Sequence, residues 1–314
     1  MNKKIILHIG LYKTGSTFIQ EHLGKVENDN FQIFLPRGKL VEHLLDYLNN
    51  PREIIRNKIL AIINECKNNI IISSEGIFGH QSNGFINVLK RMRLLESLFD
   101  RPNYIIFFRE PSSIIYSGFF QGLKKNFDLK FQNYIYKNIN DLHKTIPKDF
   151  SQTTNYKIFD YNKIFCHYLN IKERALFVEY EKFFKEKNVD VLNNFIGLDI
   201  FFNFEEKINF SLKKLIYLEF YNKFFLFKYI KIFWLALFRV FLRFKKTRDP
   251  SSRLIVLINV LIKITPKIYL KKIEDKHQHL LDEIRNYHSK NYEDFKKKLL
   301  QLNKIKNNVV FKLH

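Results

Sequence analysis

The chain has few residues that could cross-link or interrupt it, because its 314 residues include only 2 cysteines, 7 prolines and 10 glycines. Cys66 and Cys166 are too few for a disulfide framework, and neither has the neighbours of a zinc site. We expect both to be buried thiols in a reducing compartment. No Pro/Gly/Ser-rich linker and no internal repeat divides the sequence. At this length, one large domain or two small ones are both possible.

Long apolar runs are absent as well. The uninterrupted stretch 232–238 is far shorter than the roughly 20 residues of a bilayer-spanning helix. The apolar run after Lys3 and Lys4 is too short for a signal peptide, has no small-residue cleavage site and ends at Gly10. It reads as a strand. We therefore expect a cytoplasmic protein with no spanning anchor ahead of this strand.

Acidic residues are outnumbered, with 31 Asp and Glu against 53 Lys and Arg, a net charge of +22. Such a charge favours anionic partners such as nucleotides, acidic glycans, nucleic acid or an anionic membrane surface. The basic, aromatic segment 211–273 has two interpretations: core and lid helices, or a surface that lies on the inner face of the membrane. Residues 275–306 predict a solvated closing helix, and His277 and His279 predict no metal site.

Short apolar runs alternate with helical patterns. Strands are predicted at the N-terminus and at residues 31–35, 69–74, 104–109 and 175–180, and helices at 40–48, 53–66, 88–99, 113–122, 131–144, 161–168 and 191–196. Runs that are apolar throughout belong to strands buried on both faces. The pattern predicts an α/β fold in which helices flank a central parallel sheet, followed by a mostly helical C-terminal part.

The loop after the first strand predicts an oxyanion site. Gly10 and Gly15 bound it, and a helical pattern follows, so backbone N–H groups and the helix dipole converge there. Lys13 adds a full positive charge. A nucleotide-hydrolysing P-loop has its lysine directly after the second glycine, but Ser16 stands there. A lysine inside the loop can instead meet the bridging oxygen of a leaving phosphate.

A second pair of residues follows a later strand. Arg109 ends the run 104–109, and Ser117 lies in the helical pattern after Glu110 and Pro111. A guanidinium fork and a hydroxyl can converge on one phosphate. A local ion pair for Arg109 and packing of Ser117 on the sheet is the alternative.

Together these motifs, Lys13-Thr14-Gly15-Ser16-Thr17 and Arg109-Glu-Pro with Ser117-Gly-Phe-Phe, resemble the PAPS-dependent sulfotransferase family, in particular its bacterial carbohydrate-type members. PAPS is 3′-phosphoadenosine 5′-phosphosulfate, and PAP is the product that remains after transfer. The resemblance covers residues 4–210 and includes the strand Val178-Glu179-Tyr180-Glu181. Tyr12 and Glu110 depart from it, since many relatives have Pro and Asp or Asn at these positions.

The resemblance implies a P-loop-like sulfotransferase fold in a single domain, with a cofactor core at 1–210, the basic segment 211–273 and a closing helix. It implies that residues 13–17 hold the 5′-phosphosulfate and that Arg109 and Ser117 hold the 3′-phosphate. No metal is required. A cell-surface saccharide or its lipid-linked precursor is the expected acceptor, through a hydroxyl rather than an amine. No nucleic-acid partner is expected.

A general base must take the acceptor's proton. Glu75 is the first candidate because it follows the strand 69–74, where open parallel sheets have their crevice, and Ser73-Ser74-Glu75 resembles a motif of bacterial carbohydrate sulfotransferases. His80 is the second candidate. The alternative for Glu75 is that it caps a helix or pairs with a nearby lysine. His8 and His22 are expected to be packing residues.

Two other classes remain open. A P-loop kinase using ATP and Mg²⁺ would explain the Gly10–Gly15 spacing, although its signature lysine is absent. A non-enzymatic basic protein bound to membranes or nucleic acid would explain the charge of +22 and the segment 211–273.

Overall fold

The computed structural model describes residues 3–79, 85, 87–125, 131–136, 154–155, 159–171, 173–205 and 267–310. His80 and most of the segment 211–273 lie outside these residues. The chain divides into two compact units. The first comprises Met1–Ile114, Tyr156–Ile208 and Arg285–His314, and the second comprises Ile115–Asn155 and Asn209–Ile284.

The elements follow the predicted alternation. In chain order they are β1 (Ile5–His8), α1 (Ser16–Leu23), β2 (Phe31–Phe34), α2 (Lys39–Asn49), α3 (Glu53–Glu65), β3 (Asn69–Ser73), a 3₁₀ turn (Glu75–Ile77), α4 (Val88–Leu98), β4 (Asn103–Phe108), α5 (Pro111–Lys125), α6 (Phe131–Tyr134), β5 (Ile135–Tyr136), β6 (Thr154–Asn155), α7 (Tyr161–Ile164), α8 (Cys166–Asn170), β7 (Ala175–Glu179), α9 (Tyr180–Glu186), α10 (Asp190–Ile196) and α11 (Lys267–Val310).

In the part of the first unit that the structure describes, five strands form one parallel sheet in the order β2-β3-β1-β4-β7. Ile6 and Leu7 of β1 and Ile71 and Ile72 of β3 are fully buried. Their apolar side chains point to both faces of the sheet, and helices cover both faces. The predicted α/β fold with a central parallel sheet is confirmed.

The strand order creates a crevice next to β1. The chain runs from β1 through β2 to β3 on one side of β1, then crosses to β4 on the other side. Ligands of open parallel sheets bind at such a reversal, beyond the carboxyl ends of the strands. The segments that leave β1 and β4 therefore meet at one edge of the sheet.

The basic residues before β1 contact the C-terminal ends of two helices. The Nζ of Lys3 donates to the carbonyl of Ile63 at 2.8 Å, at the end of α3. The Nζ of Lys4 donates to the carbonyls of Phe195 and Ile196 at 2.9 and 3.0 Å, at the end of α10. A cation at a helix C-terminus satisfies the last carbonyls and opposes the dipole.

The C-terminal helix α11 begins before the predicted residue 275. In the first unit its Tyr292 donates a hydrogen bond of 3.1 Å to Glu179 of β7, and Phe295 is fully buried. In the second unit, His277 is buried beside Tyr116, whereas His279 is exposed. The two histidines therefore face different surroundings.

The helix predicted over residues 131–144 is wrong at residues 135–136, and residues 137–144 lie outside the described residues. Residues 135–136 form a short strand that pairs in parallel with residues 154–155 of the second unit. Isoleucine and tyrosine favour strands once a partner is present. That partner lies about twenty residues further along the chain, beyond the reach of a local pattern. None of the helices in the described ranges is both long and apolar enough to cross a membrane.

Candidate anion-binding site at the ends of β1 and β4

The loop after β1 is fixed to the neighbouring strand. The N–H of Ile9 donates to the carbonyl of Ile105 at 2.9 Å, and the N–H of Leu11 donates to that of Phe107 at 3.2 Å. The pairing with β4 thus continues past the end of β1. Thr14, fully buried, donates its hydroxyl to the carbonyl of Leu11 at 2.5 Å and closes the loop.

Both glycines of the loop stand where a side chain would collide. A Cβ on Gly10 would lie 2.9 Å from Oγ1 of Thr14. Gly15, with φ +81°, precedes α1, and a Cβ there would lie 2.8 Å from a ring carbon of Phe184 and 3.0 Å from one of Tyr180. These contacts explain the Gly10–Gly15 spacing, since the loop turns tightly and α9 packs directly on it.

Lys13 has a left-handed backbone conformation, with φ 66°. Such a conformation is uncommon for a residue with a side chain and costs on the order of 1 kcal/mol. The Nζ of Lys13 lies 4.9 Å from the centroid of the Tyr12 ring. Strain of this kind concentrates at ligand-binding loops.

Donors converge where α1 begins. The N–H of Ile19 bonds to the carbonyl of Gly15 at 3.1 Å, whereas the N–H groups of the first turn precede any intrahelical partner. Ser16 is buried, and its Oγ has no hydrogen-bond partner among the described residues. A buried hydroxyl without a partner is costly, and an oxyanion against the loop would satisfy it.

Arg109, directly after β4, contacts the same loop. Its Nη1 donates to the carbonyl of Lys13 at 3.2 Å, and its Nε donates to Oε1 of Glu181 at 2.9 Å. Its Cζ lies 4.3 Å from the centroid of the Tyr180 ring, within cation–π distance. The Tyr161 hydroxyl donates to the Arg109 carbonyl. The two sequence motifs therefore meet in space at Lys13 and Arg109.

Glu110 is used as a helix cap. Its carboxylate accepts from the N–H groups of Ser112 and Ser113 at 3.0 and 2.9 Å and from the Ser112 hydroxyl. These are the orphan donors at the start of α5, and Pro111 suits its first position. Ser117 is half-buried in α5 and belongs to the second unit.

Glu75 opens the 3₁₀ turn after β3. Burial raises the pKa of its carboxyl to about 7, and the positive charge of nearby Lys13 opposes this rise. The Ser74 N–H donates to the His8 carbonyl at 3.1 Å, which fixes the start of the turn to β1. A carboxyl with a pKa near 7 beside a cation is suited to proton transfer.

The two histidines next to the loop are packed into the interior. His8 is buried, its Nδ1 lies 2.6 Å from the Ser73 hydroxyl, and burial lowers its pKa to about 4. In His22, the Nε2 accepts from the N–H of Asn203 at 2.9 Å, so the Nδ1 donates to the Phe18 carbonyl at 2.8 Å. Both serve as packing residues, as expected.

Sequence reasoning missed two residues that hold the site together. The sequence indicates Glu181 only as part of the motif Val178-Glu179-Tyr180-Glu181, but in the structure its carboxylate accepts a hydrogen bond from Arg109. Arg91, buried in α4, donates to the carbonyls of Gly76 and Ile77 in the turn that begins at Glu75. An arginine among the apolar positions of α4 was the available signal for Arg91. For Glu181 no local signal exists, because its partner is 72 residues away.

The chain is similar to known proteins in structure but matches none of the families or curated proteins in sequence. A sulfotransferase from Alicyclobacillus acidocaldarius is similar in structure, with 14% identity, a TM-score of 0.45 and coverage of 71% of this chain and 93% of that one. Mouse sulfotransferase SULT7A1, complexed with PAP, has 14% identity and a TM-score of 0.33, with coverage of 64% and 61%. The chain thus spans less than two thirds of the mouse protein. Both TM-scores are low, and neither likeness carries the argument for function.

The described residues contain no group of His, Cys, Asp and Glu arranged to hold a metal ion.

Proposed function

We propose that this chain is a sulfotransferase that moves the sulfonyl group of PAPS to a hydroxyl acceptor. The observation that carries the proposal is the contact between the two motifs, in which Nη1 of Arg109 donates to the carbonyl of Lys13. A nucleotide with one phosphate at the 3′ position and another at the 5′ position is bound well by two cations, one for each phosphate. Lys13 and Arg109 supply these two cations.

The residues of the first loop fit a 5′-phosphosulfate. Gly10 and Gly15 let the loop turn tightly against Thr14 and α9, and the buried Ser16 hydroxyl has no partner in the described part of the chain. The first N–H groups of α1 add donors and the positive end of a dipole. In the proposal, Thr14 closes the loop while Gly15, Ser16 and Thr17 contribute to binding the equatorial oxygens.

Bound PAPS supplies a sulfonyl group on a good leaving group. Transfer of such a group depends mainly on positioning and on stabilising charge, as in phosphoryl transfer. We assign to Lys13 the stabilisation of negative charge on the bridging oxygen as PAP leaves. Arg109, with Ser117 on α5, would hold the 3′-phosphate and so fix the position of the nucleotide.

Glu75 is the proposed general base. Its carboxyl has a pKa of about 7, so a large fraction is ionised at neutral pH and able to accept a proton. His80 remains the second candidate for this role. The proposed chemistry uses no metal, because Lys13 and the loop N–H groups supply the charge stabilisation.

For the acceptor we propose a cell-surface saccharide or its lipid-linked precursor. The net charge of +22 favours an acidic glycan or an anionic membrane surface, and residues 211–273 supply the segment that would lie on such a surface. A screen of saccharide acceptors, guided by the neighbouring genes, tests this part independently of the cofactor.

The experiment for the donor uses ³⁵S-labelled PAPS with EDTA present, and equilibrium dialysis to measure binding. Saturable binding to the wild-type chain that is lost in the double variant Lys13→Ala/Arg109→Ala supports the proposal. Absence of PAPS binding contradicts it. ATP with Mg²⁺ is tested in parallel, and tighter binding or turnover of ATP would support a kinase instead.

A further inference from the structure

The guanidinium of Arg109 is engaged on two separate edges. Its Nε donates to Oε1 of Glu181 at 2.9 Å, while its Nη1 donates to the carbonyl of Lys13 at 3.2 Å. The ring of Tyr180 lies against its face, 4.3 Å from Cζ. The side chain of Arg109 is 19% exposed. The protein therefore holds a carboxylate on the group that is proposed to receive a phosphate.

Glu181 holds Arg109 through one oxygen only. Its Oε2 is buried and accepts no hydrogen bond from any residue that the structure describes. An arginine–carboxylate pair is strongest when both oxygens are bonded to the fork. A phosphate offers three acceptor oxygens and more negative charge, so it can compete with this single contact.

A carboxylate and a phosphate cannot share the Nε edge without strong repulsion between like charges. The alternative space for Glu181 is an adjoining pocket of about 380 Å³, which Glu181 itself lines. Arg285, His288 and Lys296 line this pocket together with three further glutamates. The region into which the carboxylate would move thus contains side chains of both charges, and its Lys296 already pairs with Glu293 at 2.8 Å.

We propose that Glu181 is an internal substitute for the 3′-phosphate, an inference that rests on the proposed function. It occupies the Nε edge of Arg109 in this structure, and in the proposal it leaves this edge when the phosphate binds. The Nη1 edge keeps its contact with Lys13 throughout, so the exchange does not disturb the loop. Glu181 then returns as PAP leaves, and this competition lowers the affinity for PAPS and for PAP alike, because both carry the 3′-phosphate.

The test is calorimetric titration of PAP and of AMP, which lacks the 3′-phosphate. We expect Glu181→Gln to bind PAP about 3- to 10-fold more tightly than wild type, the effect of removing one competing, partly exposed ion pair, with AMP binding unchanged. Glu181→Asp keeps the charge but has a shorter side chain, so its affinity for PAP should lie between those of wild type and Glu181→Gln. In an Arg109→Lys background the effect of Glu181→Gln should vanish.

Glu186→Gln is the matched control. It removes the same charge from α9, where Oε2 of Glu186 lies 4.0 Å from Nζ of Lys182. It should change the affinities for PAP and AMP equally and only slightly. Two results would show that Glu181 is not a substitute for the phosphate, provided that wild type binds PAP. Glu181→Gln would bind PAP no more tightly than wild type, or its affinity for AMP would rise as much as its affinity for PAP. If wild type binds no PAP, the proposed function fails first and this inference with it.

Discussion

Nη1 of Arg91 lies 2.7 Å from the carbonyl oxygen of Gly76 and 3.3 Å from that of Ile77. Its Nη2 donates to Oδ1 of Asn49. The side chain is only 5% exposed, so these carbonyls depend on Arg91 rather than on water. The turn that begins at Glu75 is thereby fixed at its C-terminal end.

Arg91→Met should therefore release Glu75. We expect an unfolding free energy lower by about 2–4 kcal/mol, because buried carbonyls lose their donors. The pKa of Glu75 should fall from about 7 towards its ordinary value of 4.5 as water reaches the loosened turn. NMR of ¹³C-labelled glutamate, with Glu75→Gln for assignment, measures this pKa. Arg91→Lys keeps one donor group, so its unfolding free energy and its Glu75 pKa should lie between those of wild type and Arg91→Met. An unchanged Glu75 pKa in Arg91→Met would show that Arg91 has no positioning role.

Glu75 predicts a pH dependence of transfer. A base must be ionised, so the rate of ³⁵S release from PAPS should rise with pH and level off above about 7. Glu75→Gln should lower this rate by roughly 100- to 10,000-fold and leave PAP affinity unchanged. An unaltered rate in Glu75→Gln would transfer the assignment of the base to His80.

The raised pKa of the Glu75 carboxyl also predicts that the stability of the fold depends on pH. The folded chain holds the Glu75 proton more tightly than the unfolded chain, since its pKa is raised. Its stabilising contribution is therefore complete below about pH 4.5 and is lost as pH rises through about 7, by at most about 3 kcal/mol. Urea unfolding measures the difference in unfolding free energy between pH 5 and pH 8, and this difference should be smaller in Glu75→Gln than in wild type. Equal differences in both proteins would argue against a buried, protonated carboxyl.

Substitution of Lys13 and substitution of Arg109 should have different effects on transfer rate and PAP affinity. Lys13→Ala should lower the transfer rate by about 100- to 1,000-fold, the usual effect of removing a group that stabilises developing charge. Arg109→Ala should mainly weaken PAP binding, and because Arg109 also holds the Lys13 carbonyl it should reduce transfer as well. Lys39→Ala, at an exposed lysine of α2, controls for net charge. Equal, small effects of both site variants would contradict the assignment.

Gly15 and Gly197 form a matched pair of backbone positions. Both have positive φ, +81° and +80°, but a Cβ on Gly15 would strike Phe184, whereas no atom that the structure describes lies within 4 Å of one on Gly197. Gly197→Ala should cost about 1–2 kcal/mol of unfolding free energy from backbone strain alone. Gly15→Ala should cost about 2–5 kcal/mol, with crowding added, and should weaken PAP binding. Equal losses in urea unfolding would show that α9 does not constrain the loop.

The sheet and the first loop could be predicted because their signals are local. Apolar runs such as Ile70–Ile72 are long enough to identify strands, and the spacing of Gly10 and Gly15 identifies the turn. The contacts that complete the site could not be predicted in this way. Glu181 reaches Arg109 across 72 residues, and Phe184 packs on Gly15 from a distant helix. Such pairs depend on how the strands are ordered, which periodicity does not encode.

The most direct measurement is calorimetric titration of the wild-type chain with PAP, AMP and adenosine 3′-phosphate, with EDTA present. Two phosphate sites predict one PAP per chain, and removal of either phosphate should weaken binding by about 10-fold or more, as expected for loss of a charged hydrogen-bonding partner. ATP with Mg²⁺ should bind more weakly than PAP. Absence of PAP binding, or binding no tighter than that of AMP, would contradict the assignment of Lys13 and Arg109 to a 3′,5′-bisphosphate nucleotide.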